Sequence, residues 1–284
     1  MADEIARLQE QVAELAGAKP GDRTAEEVRP ILEQLLEHLE SGRLRAAVRT
    51  NDGQWIVQPW VKQGILLCFR HSETVDFSIN STFQYRDKAL LPPQDLLARP
   101  DPPRIVPGGT TVRRGAHIGR HVVIMPPSYI NVGGFVDDHT MIDSHVLVGS
   151  CAQVGRNVHL SAGVQIGGVL EPIGALPVII EDDVFVGAQC GIFEGTTVRK
   201  GALLGAGVRL TRGTPLYDLV NEQVYRARAD APLVVPERAV VVPGARPARG
   251  NFARSHGLML RTPIIVRYRE EGETAAYAME SELR

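Results

Sequence analysis

From Val106 to Leu216 an aliphatic residue returns at every sixth position. The series runs Val106, Val112, Ile118, Ile124, Ile130, Val136, Ile142, Val148, Val154, Leu160 and Ile166. After one interruption it resumes at Ile180, Val186, Ile192, Val198, Leu204, Leu210 and Leu216, and neither run misses a position. A period of six fits neither the 3.6-residue turn of a helix nor the alternation of a lone strand. It predicts a hexapeptide β-helix, in which each segment forms one flat side of a triangular coil. The position two before the aliphatic is often small or slim, as at Ala116, Ser128, Gly134, Thr140, Ala152, Thr196 and Ala202. A glycine often follows the aliphatic (Gly119, Gly149, Gly155, Gly167, Gly187, Gly205), where the corner is expected to need a positive φ. Coils spaced like neighbouring strands, about 4.8 Å apart, would stack six deep into a prism about 30 Å tall. Ordinary sandwich strands would not hold one phase over so many turns.

The flanks read differently. Residues 3–17 put Ile5, Leu8, Val12 and Leu15 on one helical face, and residues 25–41 repeat this with Val28, Ile31, Leu32, Leu35, Leu36 and Leu39. Thr24 with Glu27 forms a capping box, whereas Pro30 predicts a bend or a later start. Trp55–Arg70 reads as a further helix or a buried segment, and the proline-rich stretch 87–103 as the linker into the prism. Beyond Leu216 the beat stops; short strands are expected at Val234–Val235 and Val240–Val242, a longer one over Leu258–Tyr268, and a short helix or frayed end over Glu273–Arg284. Three units result: a helical domain with linker over 1–103, the coil over 104–217, and a capping region over 218–284. Open coil ends carry unpaired backbone groups, so both flanks are suited to capping.

With 284 residues, 44% of them hydrophobic, the chain can bury a large core. A net charge of −2 points away from nucleic acid and anionic membrane as partners. Lysine occurs only at positions 19, 62, 88 and 200 among the many arginines, so no single arginine stands out by type alone. Cys68, Cys151 and Cys190 are odd in number and widely spaced, which fits a reducing compartment without disulfides. The polar start MADEIARLQEQ and the absence of a long apolar run lead to the expectation of a soluble, cytoplasmic protein.

Chemistry enters through a resemblance. The segments MPPSYINVGGFVDDHTMIDSHVLVGSCAQVGRNVHLS (125–161) and IGGVLEPIGALPVIIEDDVFVGA (166–188) resemble the tetrahydrodipicolinate N-succinyltransferases, a bacterial family of diaminopimelate and lysine biosynthesis. SGRLRAAV, DGQWIVQPWVKQGILLCFR and YDLV extend the likeness over nearly the whole chain. It implies a left-handed parallel β-helix, a homotrimer, and active sites in grooves between subunits. The hand comes from the resemblance alone, since parallel crossovers are ordinarily right-handed. The implied reaction transfers a succinyl group from succinyl-CoA, a co-substrate and not a tightly bound cofactor, to the amine of a ring-opened dicarboxylate.

Such a reaction needs a group to deprotonate or orient the amine, a fixed donor for the oxyanion, and cations for the carboxylates. By the resemblance Asp143, in MIDSH, is the catalytic or substrate-orienting aspartate, while Asp137 and Asp138 read as turn residues. Arg104, in PPRIVPG, matches a carboxylate-binding arginine. Gly168, in IGGVLEP, offers a backbone N–H to the thioester carbonyl or serves only the turn. One departure stands out. Where family members read SEVVEG, this chain reads Cys190-Gly191-Ile192-Phe193-Glu194-Gly195. The first carboxylate is replaced by Gly191 and only Glu194 remains, so either Glu194 takes the role, or Asp143 works alone, or the substrate differs. The excursion Glu171–Val178 breaks the period and is expected to cover a ligand.

Two other classes compete. Zinc hydration enzymes share the hexad prism; His121 and His139 lie one coil apart, but His117 and His159 occupy another slot of the hexad, so no zinc site is expected. A non-catalytic trimeric scaffold is the other. Within acyltransferases, acetyl transfer to the same or a related amine is the nearest rival.

Overall fold

The computed structural model describes residues 2–19, 22–229, 231–270 and 272–273. The hexad beat folds into three flat parallel faces. On the first, Ile118, Val136, Val154, Ile180 and Val198 stack in register. The second stacks Ile124, Ile142, Leu160, Val186 and Leu204, and the third Val112, Ile130, Val148, Ile166, Ile192 and Leu210. None of these side chains is more than 4% exposed. Burying each contributes about 1.5–3 kcal/mol, and the backbone N–H and C=O groups of successive coils bond to one another along every face.

Both ends of the beat slip. Ile105, not Val106, pairs with Ile124, and the turn through Gly108 and Gly109, both at positive φ, absorbs the extra residue. At the other end Val235, not Leu216, stacks on Val198, and Val241 stacks on Leu204. Between them the chain leaves the coil and forms a hairpin, Leu216–Asp218 against Gln223–Tyr225. Leu216 is still fully buried in the prism core, so burial kept its hydrophobic beat after the chain had left the coil.

The glycines after the aliphatics differ from expectation too. Gly119, Gly149, Gly155, Gly167, Gly187 and Gly205 are not at positive φ; the left-handed residue comes two positions later, as at Gly115, His121, Gly133, His139, His145, Cys151 and Asn157. Space explains the glycines instead. A Cβ on Gly149 would lie 2.2 Å from the backbone nitrogen of Gly168 on the next coil.

Three helices, α1 (Ala2–Gly17), α2 (Ala25–Glu40) and α3 (Pro59–Arg70), pack around Leu8, Val12, Leu32, Leu35, Leu36, Val61 and Ile65. Both arms of the Thr24–Glu27 capping box form, so α2 begins at once and runs through Pro30. Packing of its apolar stripe outweighs the lost backbone bond. Trp55–Val57 is a strand paired with Ala47–Arg49, and the helix starts only at Pro59. Thr74–Asp76 and Arg86–Lys88 form a further hairpin.

The linker is a plug. Leu96 joins the prism core, and Gln94 Nε2 donates to the Arg113 and Ala116 carbonyls (2.9 and 2.6 Å), closing the lower end. The upper end is covered by the antiparallel pair Ala239–Pro247 and Met259–Tyr268, with a short helix α4 (Asn251–Ser255) at its tip and Ile265 in the core. The tail expected over Glu273–Arg284 lies, beyond Glu273, outside the described residues. The helical unit rests on the first face: Arg45 lies 3.7 Å over the Phe135 ring and donates to Gln153 Oε1, and Trp55 Nε1 donates to Glu181 Oε1.

Candidate active site

The corner between the third and first faces carries both of the chain's departures from the coil, residues 167–178 and 211–233. Between them lies the short corner Phe193-Glu194-Gly195. A cleft of about 1010 Å³ results, bounded by Gly167, Gly168, Glu171, Pro172 and Gly174–Leu176 below, Thr211, Arg212, Ala229, Ala231 and Pro232 above, and Trp55–Val57 from the helical unit at the side. Three short hydrogen bonds from two side chains hold its walls. Lys62 on α3, fully buried, donates to the Ala175 carbonyl at 2.5 Å, and Arg212 donates to the carbonyls of Arg228 and Ala229.

Gly168 and Glu194 both line this cleft. The coil below leaves Gly168 no room for a side chain, because a Cβ would lie 2.7 Å from the Ser150 nitrogen. Its backbone N–H makes no hydrogen bond among the described residues, so a residue of the cleft wall carries an unpaired donor. Glu194 is exposed, has a φ of 55°, and accepts the Arg212 backbone N–H at 2.7 Å through Oε2. Its other oxygen makes no hydrogen bond among the described residues.

Asp143 and Arg104 lie elsewhere. Asp143 follows Ile142 at the corner between the second and third faces, half-buried, its Oδ1 accepting the Ser144 N–H at 2.7 Å. Ser128 Oγ donates to the Asp143 carbonyl at 2.9 Å, pinning the turn. Asp143 also acts on His159, which burial pushes below its ordinary range while the Asp143 charge pulls it back. Arg104, exposed on the lowest strand of the second face, has a guanidinium with no partner among the described residues. Within one chain, then, Gly168 and Glu194 come together, and neither Asp143 nor Arg104 joins them.

Other chemistries find less support. His121 and His139 stack with centroids 4.8 Å apart, while His117 bonds the Glu40 carbonyl and His159 stacks on Phe185. Among the described residues no three His, Cys, Asp or Glu side chains converge on a metal position. Cys68 and Cys151 have thiols pushed up to about 12, and Cys190 to about 11, all by burial, which leaves no thiolate nucleophile. No helix among the described residues is long and apolar enough to cross a membrane. The sequence reading missed Lys62 and Arg212 as wall-builders; Lys62, a lone lysine in an apolar helix, was the available signal.

Comparison with known proteins identifies the family. Residues 1–71 match the family described as tetrahydrodipicolinate N-succinyltransferase N-terminal, and residues 177–212 the hexapeptide repeat of succinyl-transferase. The 2,3,4,5-tetrahydropyridine-2,6-dicarboxylate N-succinyltransferase of Rhodopseudomonas palustris is 38% identical over 87% of this chain and 87% of its own. That of Nitrobacter winogradskyi is 43% identical, again over 87% of each chain. A solved hexapeptide-repeat acetyltransferase of Vibrio cholerae, complexed with acetyl coenzyme A, is 18% identical over 55% of this chain and 72% of its own, with a TM-score of 0.35. The coil is the left-handed parallel β-helix of hexapeptide repeats, and the chain belongs to the 2,3,4,5-tetrahydropyridine-2,6-dicarboxylate N-succinyltransferase family of acyl-CoA-dependent N-acyltransferases.

Proposed function

We propose that this enzyme transfers the succinyl group of succinyl-CoA to the amine of ring-opened tetrahydrodipicolinate, in cytoplasmic diaminopimelate and lysine biosynthesis, and that it works as a homotrimer. Family membership over 87% of the chain carries the reading. The amine nitrogen, once deprotonated, attacks the thioester carbon; the C–S bond then breaks, and CoA leaves with a proton as the free thiol. The unpaired Gly168 N–H suits the oxyanion of that step, and Asp143 is assigned to orient the ammonium and take its proton. Arg104 grips a substrate carboxylate. Glu194, with one oxygen held by Arg212, is the remaining carboxylate of the cleft.

The separation of Asp143 and Arg104 from Gly168 and Glu194 supports the trimer, since a neighbouring chain can bring the two halves of the site together. The second face supports it as well: Val123, Met141, His159 and Phe185 form an outward row left only half-buried, an apolar surface suited to another protomer. The division at about residues 103 and 217 serves the same design, with the helical unit forming one cleft wall and the cap the opposite lip.

A thiol-release assay with the dicarboxylate amine tests the reading. Succinyl-CoA should be turned over at least tenfold more efficiently than acetyl-CoA. A preference for acetyl-CoA would transfer the assignment to an acetyltransferase, and no thiol release with either donor would remove it.

A further inference from the structure

Gly191 stands where the resemblance has a carboxylate, and the structure shows what fills the vacated space. A Cβ on Gly191 would lie 2.5 Å from Phe193 Cε2 and 2.6 Å from an Arg209 guanidinium nitrogen. Arg209 pairs directly with Gly191 on the third face, one coil above. The Phe193 ring also lies over Gly167, where a Cβ would be 2.8 Å from Cδ1. Two coils have thus given up a side chain beneath one aromatic ring, which lines the cleft beside Gly168 and Glu194. Beside it sits a cation. The Arg209 side chain is exposed and makes no hydrogen bond or ion pair among the described residues.

We propose that Arg209, seated over Gly191 beside Phe193, is a specificity-determining residue that binds a carboxylate of the bound substrates. A guanidinium facing a ligand carboxylate can form two parallel charge-assisted hydrogen bonds. A carboxylate on residue 191 would neutralise that guanidinium internally and clash with the ring, so the absence of a side chain there leaves the cation free for the ligand. The inference rests on the acyl-transfer reading, in which both the acyl chain and the amine substrate offer such a group.

The test compares wild type with Arg209→Gln, measuring KM and kcat for succinyl-CoA, acetyl-CoA and the dicarboxylate amine. At least a tenfold rise in one KM is expected, with kcat within threefold and Arg209→Lys recovering most of the loss. A rise for succinyl-CoA but not acetyl-CoA places the acyl carboxylate on Arg209; a rise for the amine with both donors places the acceptor carboxylate there. The double variant Gly191→Glu, Phe193→Val, which makes room for an internal partner to Arg209, should raise the same KM. All three KM values within twofold of wild type in Arg209→Gln overturn the proposal. If wild type turns over neither donor, the activity reading fails separately. Calorimetric titration with pimelate then decides: equal dissociation constants for wild type and Arg209→Gln overturn the anion position, and at least tenfold weaker binding by the variant sustains it.

Discussion

At the residue scale, two carboxylates carry different burdens. Asp143 sits in a turn pinned from both sides, its Oδ1 on the Ser144 N–H and its carbonyl on Ser128. Replacing it with asparagine keeps the shape and removes only the charge. Asp143→Asn should therefore lower kcat at least tenfold, about 1.4 kcal/mol of barrier, with the sedimentation coefficient unchanged. Wild-type rates of thiol release would free Asp143 from its assigned role. Glu194, by contrast, is already engaged with the Arg212 N–H, and its place in the cleft depends on the coil above. The sequence singled out both residues, yet no spacing rule shows that one lies in the cleft and the other at a different corner of the coil. The glycines teach the same lesson: Gly149 reads as a turn residue, but the next coil's backbone is what forbids a side chain there.

At the scale of elements, the cleft depends on contacts between units far apart in the chain. Lys62 is a fully buried cation tied to the Ala175 carbonyl. Lys62→Met removes the tether while filling the volume, so global stability should change by less than about 2 kcal/mol, since apolar replacements of buried ions are often close to neutral. Residues 171–178 should nevertheless exchange their amide hydrogens markedly faster, which hydrogen-exchange mass spectrometry reads directly; unchanged exchange would deny Lys62 this role. The seam between α2 and the prism is expected to respond to pH. His117 stacks on Phe135 with Nδ1 2.8 Å from the Glu40 carbonyl. Burial holds its pKa below the ordinary 6.5; Arg99 and Arg45 add to this, while the Glu40 bond and Asp137 oppose it. Below pH 6.5 the unfolded chain binds the proton more readily than the folded one, so this contribution is complete above pH 6.5 and is lost as pH falls toward the folded pKa. The thermal midpoint should drop over that range, and His117→Gln should flatten the drop.

At the scale of the whole molecule, the proposed trimer is open to direct test. Phe185, on the half-buried outward row of the second face, would meet another protomer in the proposed trimer. Phe185→Asp should yield monomers by sedimentation velocity and lower activity at least a hundredfold, with far-UV circular dichroism preserved; an active monomer would sink the shared-cleft reading. Much of the fold was legible in the sequence, because each coil repeats one steric demand every six residues: an aliphatic at the centre and a slim residue at the corner. The capping box of α2 was legible for the same reason, being local. What escaped was non-local. The slip from Val106 to Ile105, and the handing of the last rungs from Leu216 to Val235 and Val241, depend on where the chain leaves and rejoins the stack, and an aliphatic is buried on either path. Gly191 read from the sequence only as a missing carboxylate. That Phe193 and Arg209 crowd its empty side follows from the stacking of coils, which brings together residues 18 apart in the chain.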